Sequence, residues 1–177
     1  MAAMSVAFLR GINLGRRRVT NDQLVAAAEA AGFAEVSAYQ AAGNLLFDLG
    51  GVPDPEATLS AGLERALGFE VRVFVRAATT LAELAAAAPF TEAELAGGGK
   101  VQVTMLSTVP TPEQAAAVHA LATEQDRLVV RGAHWFWLPA LGVGRSTLDV
   151  SAIEREVGVG TTRTQGTVQR LVKKLGA

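Results

Sequence analysis

The chain has 177 residues, half of them apolar, with 16 Lys and Arg against 17 Asp and Glu, a net charge of −1 and no cysteine. That length supplies one ordinary domain or two small ones with material for a core, and the charge balance excludes a global basic field of the kind that draws nucleic acid. Disulfides, thiolate catalysis and Cys-based zinc sites are excluded, and no apolar run reaches the roughly 20 residues of a membrane span.

Ser5 to Leu9 reads as a buried strand, and Thr20-Asn21-Asp22-Gln23 as a capping box opening a helix that ends at Gly32. Val36 to Gln40 and Leu45 to Asp48 are short strands joined tightly through Gly43-Asn44. Asp54-Pro55 caps a second helix whose apolar stripe is Leu59, Leu63, Ala66 and Leu67, with Gly68 as its stop. Phe69 to Val75 alternates into a fourth strand, which completes the order βαββαβ by Arg76. Leu81 to Ala88 reads as an alanine-rich helix, and Pro89 with Gly97-Gly98-Gly99 as connecting material.

The pattern then restarts. Val101 to Met105 is a strand, Thr111-Pro112-Glu113-Gln114 caps a helix to about Ala122, and Leu128 to Arg131 with His134 to Leu138 forms a hairpin across Gly132-Ala133. Ser146 or Thr147 caps a helix carrying Leu148, Ile153 and Val157, Thr161 to Thr164 is a weak last strand, and Thr167 to Leu175 is a final helix burying Val168, Leu171, Val172 and Leu175. The expected fold is α+β: two tandem ferredoxin-like domains of βαββαβ type with antiparallel sheets. They occupy residues 1–77 and 100–177, with a connecting helix and Gly-rich linker over 78–99.

Three clusters have the chemistry of an anion contact. The loop Arg10 to Arg18 joins a strand to a helix, with Gly11 and Gly15 permitting turns that aim N–H groups outward while arginines supply bidentate donors. Gly142-Val143-Gly144-Arg145-Ser146 repeats that chemistry, and Arg163 stands among Thr161, Thr162, Thr164 and Thr167. None of them is a Walker A or G-x-G-x-x-G sequence. Past Glu156 there is no acidic residue, while Arg163, Arg170, Lys173 and Lys174 remain. His119 and His134 lack a second ligand at zinc spacing, so no metal site is expected, and no nucleophile, acid or base stands out as catalytic. Trp135 and Trp137 share a strand face and read as core rather than as a base-stacking platform, because the RNA-recognition consensus is missing.

The blocks Arg10-Gly11-Ile12-Asn13-Leu14-Gly15, Tyr39 to Phe47 and Thr162 to Val168 resemble the domain of unknown function 1697 family. Arg10, Gly11, Ile12, Asn13 and Gly15 match its first pattern, Tyr39, Gly43, Asn44 and Phe47 its second, and Thr162, Arg163, Thr167 and Val168 its third. The resemblance is strongest over Val6 to Phe47 and Gly144 to Leu171. This chain departs from the pattern at Gln40, Ala41 and Ala42, at Thr164, Gln165 and Gly166, and at Thr147, where a lysine is usual. The resemblance implies tandem ferredoxin-like domains and no established activity, reaction or cofactor.

The expected function is that of a cytoplasmic protein binding a small anionic, phosphorylated or nucleotide-like ligand between or beside the domains. Its contacts are Arg10, Gly11, Asn13, Gly15, Gly43, Asn44, Arg145, Ser146, Thr162, Arg163 and Thr167, with Arg10 and Arg163 holding the anion. Arg72 is expected to lie outside this site. A protein-interaction or oligomerisation module is the first rival, and a single-stranded nucleic-acid binder using Trp135, Trp137 and the basic tail is the second. No membrane partner is expected.

Overall fold

A computed structural model of the chain describes residues 4–40 and 43–176. It shows an α+β protein with two four-stranded antiparallel sheets and seven α-helices among the described residues. The chain divides into two compact units, one running to Ala82 and including the stretch from Leu171, the other spanning Glu83–Arg170.

In the first unit, β1 (Met4–Arg10), β2 (Ala34–Ala38), β3 (Asn44–Asp48) and β4 (Arg72–Ala77) pair in the order β2-β3-β1-β4. A central strand is covered on both faces, so β1 reads as a continuous apolar run rather than an alternating one. Val6, Ala7 and Phe8 have no exposed surface. Ala7, Leu9, Leu45, Phe47 and Val73 share one core with Leu24, Ala27 and Ala28 of α1 (Asn21–Ala30) and with Leu59 and Leu63 of α2 (Pro55–Leu67). Thr20 and Gln23 form the expected capping box on α1, and Asp54 caps α2 through the Ala57 N–H at 3.1 Å. One position of the expected α2 stripe differs: Ala66 is exposed, and Gly62 lies buried beside Leu63 instead. The missing side chain is what lets α2 approach α1, since a Cβ at Gly62 would stand 2.7 Å from the Ala31 Cβ.

Helix α3 (Ala78–Ala86) starts directly from β4, three residues before the expected Leu81. A short helix α4 (Glu92–Ala96) follows, inside the stretch expected to be connecting material. Its signal was present: Thr91 and Glu94 form a reciprocal capping box, with Thr91 N–H donating to Glu94 Oε2 at 2.8 Å and Glu94 N–H to Thr91 Oγ1 at 3.3 Å.

In the second unit, β5 (Gln102–Met105), β6 (Asp126–Arg131), β7 (His134–Pro139) and β8 (Thr161–Thr164) pair in the order β6-β7-β5-β8. The threonine stretch is a strand, antiparallel to β5 with Gln102 opposite Thr164. Helices α5 (Pro112–Ala120) and α6 (Val150–Val157) cover one face, where Val118, Ile153 and Val157 pack in one core with Trp135 and Trp137. Asp149 caps α6 by accepting the Ala152 N–H at 2.9 Å, in place of the expected Ser146 or Thr147. The last helix, α7 (Gln165–Leu175), begins two residues early; Val168 and Leu171 are fully buried, but Val172 and Leu175 only half so. Gln165 Nε2 donates to the carbonyls of Leu84 and Ala87 at 2.9 and 2.7 Å, and Gln169 to that of Ala85, so two side chains of α7 satisfy carbonyls in and just after the last turn of α3. Among the described residues, no helix is long and apolar enough to cross a membrane.

Candidate anion-binding site

β1 delivers Arg10 to its exposed end, and the chain then turns at Gly11, whose φ of +84° is open to glycine at little cost. Antiparallel pairing sets Arg72 of β4 directly opposite Arg10. Arg17, brought back by a turn in which its N–H bonds the Leu14 carbonyl, lays its guanidinium over the Phe69 ring, 4.1 Å from the centroid. Arg10, Arg17 and Arg72 line one concavity of about 210 Å³ with Gly11, Leu14 and Glu70. Among the described residues that line it, Glu70 is the one carboxylate, and it pairs with Arg72 at 3.6 Å. Arg72, expected outside the site, is Arg10's nearest cross-strand neighbour. Register is fixed by pairing across distant segments, which residue spacing alone does not reveal.

The glycines and asparagines of the two N-terminal blocks shape this loop. Asn13 Oδ1 accepts the Val19 N–H at 3.0 Å and so folds the loop towards α1, while Gly15 turns with a φ of +62°. Gly43 has a φ of +70°, and a Cβ there would meet Ile12 Cδ1 at 2.7 Å and Leu9 Cβ at 3.1 Å. Its carbonyl accepts the Leu9 N–H at 2.8 Å, so the two blocks pack directly on one another. Asn44, 1 % exposed, donates from Nδ2 to the Tyr39 carbonyl at 3.1 Å and closes the β2–β3 connection. Of the departures from the family pattern in this connection, Gln40 has a positive φ of 59°, and Ala41 and Ala42 lie outside the described residues.

In the second unit the candidates fall into two groups. Arg145 ends a 3-10 turn, Val143–Arg145, and donates from Nε to the Leu141 carbonyl at 3.1 Å. Ser146 turns inward: its Oγ donates to Asp126 Oδ1 at 2.7 Å and accepts the Leu148 N–H at 3.0 Å. Asp126 is fully buried and accepts also from Trp137 Nε1 at 2.8 Å and Thr123 Oγ1 at 2.9 Å, a set of three donors that satisfies a carboxylate away from water. Arg163 lies on β8, with NH1 donating to Thr161 Oγ1 at 3.0 Å and to the Thr162 carbonyl at 2.9 Å. Burial lowers its pKa to about 10, which leaves the guanidinium charged at neutral pH. The hydroxyls of Thr162 and Thr104 bond across the strands at 2.7 Å, and Thr167 bonds Thr164 and receives Arg170 NH2 at 3.0 Å. Arg10 belongs to the first unit and Arg163 to the second.

Neither tryptophan offers a base-stacking face: Trp135 and Trp137 are 3 and 6 % exposed. His119, exposed on α5, accepts the Val130 N–H at Nε2 at 3.2 Å, a structural use of the ring. Among the described residues no group of three His, Cys, Asp or Glu could hold a metal ion.

Two antiparallel sheets with helices and an arginine-lined loop at the end of the first strand define an α+β protein with a basic concavity. The chain belongs to the family described as "Protein of unknown function (DUF1697)", whose pattern it matches over residues 3–136. That span holds the first two blocks and ends before Gly144 to Leu171. No curated protein matches the chain. Among solved structures it is similar to one described as "The structure of conserved bacterial protein SP0830 from Streptococcus pneumoniae", with a TM-score of 0.69, 16 % identity and full coverage of both chains, a likeness of fold.

Proposed function

We propose that the protein binds a small anionic ligand, phosphorylated or carboxylate-bearing, through the concavity of Arg10, Arg17 and Arg72, on the first of two tandem ferredoxin-like domains. The observation that carries this reading is that three arginines, two from the loop that starts at the end of β1 and one from β4, line one concavity beside Glu70. Guanidinium groups bind phosphate and carboxylate in bidentate geometry. Gly11 at the lip lets the backbone turn beside the ligand. The ferredoxin-like assignment is supported by the element order, since each sheet places its four strands as second, third, first, fourth.

Sulfate or inorganic phosphate should raise the melting temperature with the logarithm of ligand excess over its dissociation constant. Arg10→Ala and Arg72→Ala should each reduce the rise, and the double variant should lose no more than either single one, because both break one constellation. Arg131→Ala, which removes an exposed charge at the end of β6, should leave the rise intact. A rise undiminished by both Arg10→Ala and Arg72→Ala would leave the protein-interaction reading in front.

A further inference from the structure

The second unit carries two adjoining concavities, of about 440 and 370 Å³, with Gly99 and Lys100 on the wall common to both. Arg145 lines the first and Arg170 the second, so among the described residues three cations and no carboxylate line the pair. The lobes differ in chemistry. Beside Arg145 stand Leu141 and Val143, 46 and 52 % exposed, whereas Thr164, Gln165 and Gln169 supply polar groups beside Arg170.

Gly99 makes this shape possible. Its φ is +84°, and a Cβ there would collide with the Pro139 carbonyl oxygen, so the stretch read from sequence as a linker is wedged against the end of β7 and forms part of the wall shared by both lobes. Large apolar side chains left in water cost free energy that a ligand recovers by covering them, and unopposed cations in a concavity concentrate anions. Pockets of this volume range accommodate ligands of small-molecule size.

We propose that this double concavity is a binding site for a small organic anion, a phosphate or carboxylate attached to an apolar ring, with the anion between Lys100 and Arg170 and the ring on Leu141 and Val143. The site uses none of the residues of the Arg10 concavity, so it stands or falls separately from that reading.

The test is chemical-shift mapping on the full chain with phenyl phosphate and, in parallel, inorganic phosphate. Phenyl phosphate should shift the amides of Gly99, Lys100, Leu141, Val143 and Gln169, and bind about tenfold more tightly than inorganic phosphate, the gain expected from covering part of one ring. Lys100→Ala and Arg170→Ala should each weaken phenyl phosphate about tenfold at this site, a loss of one charge-assisted contact. The pair Leu141→Ser and Val143→Ser, both exposed and so tolerated by the fold, should remove the margin over inorganic phosphate. Equal affinity for the two probes in the unaltered protein would overturn the amphipathic ligand. Absence of shifts at Gly99 and Lys100, or shifts confined to residues 10–17, would overturn the site.

Discussion

Asp126 shows what one side chain can organise. Fully buried, it joins Trp137 of the hairpin, Ser146 of the following loop and Thr123 before β6. Asp126→Ala should lower stability by about 2–4 kcal/mol in denaturant titration, since Trp137 Nε1–H and the Ser146 hydroxyl would both lose their acceptor. Asp126→Asn should cost less, because one oxygen remains to accept. Trp135→Ala and Trp137→Ala should each cost roughly 3–5 kcal/mol, as truncation of a large aromatic in a packed core does. Loss of oligonucleotide binding without loss of stability would contradict their place in the core. Arg10, Asn13 and Gly43 stood out in the sequence because polar and glycine-rich stretches interrupt apolar runs there. Arg17 stood in the same loop with nothing to separate it from Arg16 and Arg18, and Arg72 was expected outside the site, since nothing local to either shows the strand register and the cation–π contact that position them.

At the scale of elements, most of the fold was legible. Three helices open with the same reciprocal box, Thr20 with Gln23, Thr91 with Glu94, and Thr111 with Gln114. The box satisfies backbone donors locally, so its sequence signature survives whatever the tertiary context. Helix α4 is hard to read from sequence because five residues carry too short an apolar period to register, although its box is visible. Gly62 and the start of α3 were illegible for another reason, as both depend on what packs alongside. The Thr91 N–H and hydroxyl hold the Glu94 carboxyl below the usual glutamate range. For a carboxyl with a lowered pKa, the stabilisation is complete above the ordinary glutamate value and is lost as pH falls through the lowered one. Amide exchange in α4 should therefore accelerate, relative to α1, when the pH is taken from 6 to 3. Thr91→Ala should show the faster exchange at pH 6 already, and an unchanged α4 to α1 ratio at pH 3 would contradict the role given to the box.

Over the whole molecule, charge is nearly balanced, yet it is distributed so that arginines collect where β1 ends and meets β4. Membership of a family without an assigned activity leaves the chemistry to be argued from such sites, because a shared fold carries no function by itself. The same sheet order in both units was anticipated by the repeat of element order, since strand–helix–hairpin connectivity with short loops leaves few other topologies. The central claim is that Arg10, Arg17 and Arg72 hold one anion. Crystals grown with selenate allow it to be tested by anomalous diffraction at the selenium edge. An anomalous peak in the concavity, with oxygens about 2.7–3.0 Å from guanidinium nitrogens of Arg10 and Arg72, is the predicted result. Density for the anion elsewhere on the protein, with that concavity filled only by water at saturating selenate, would contradict it.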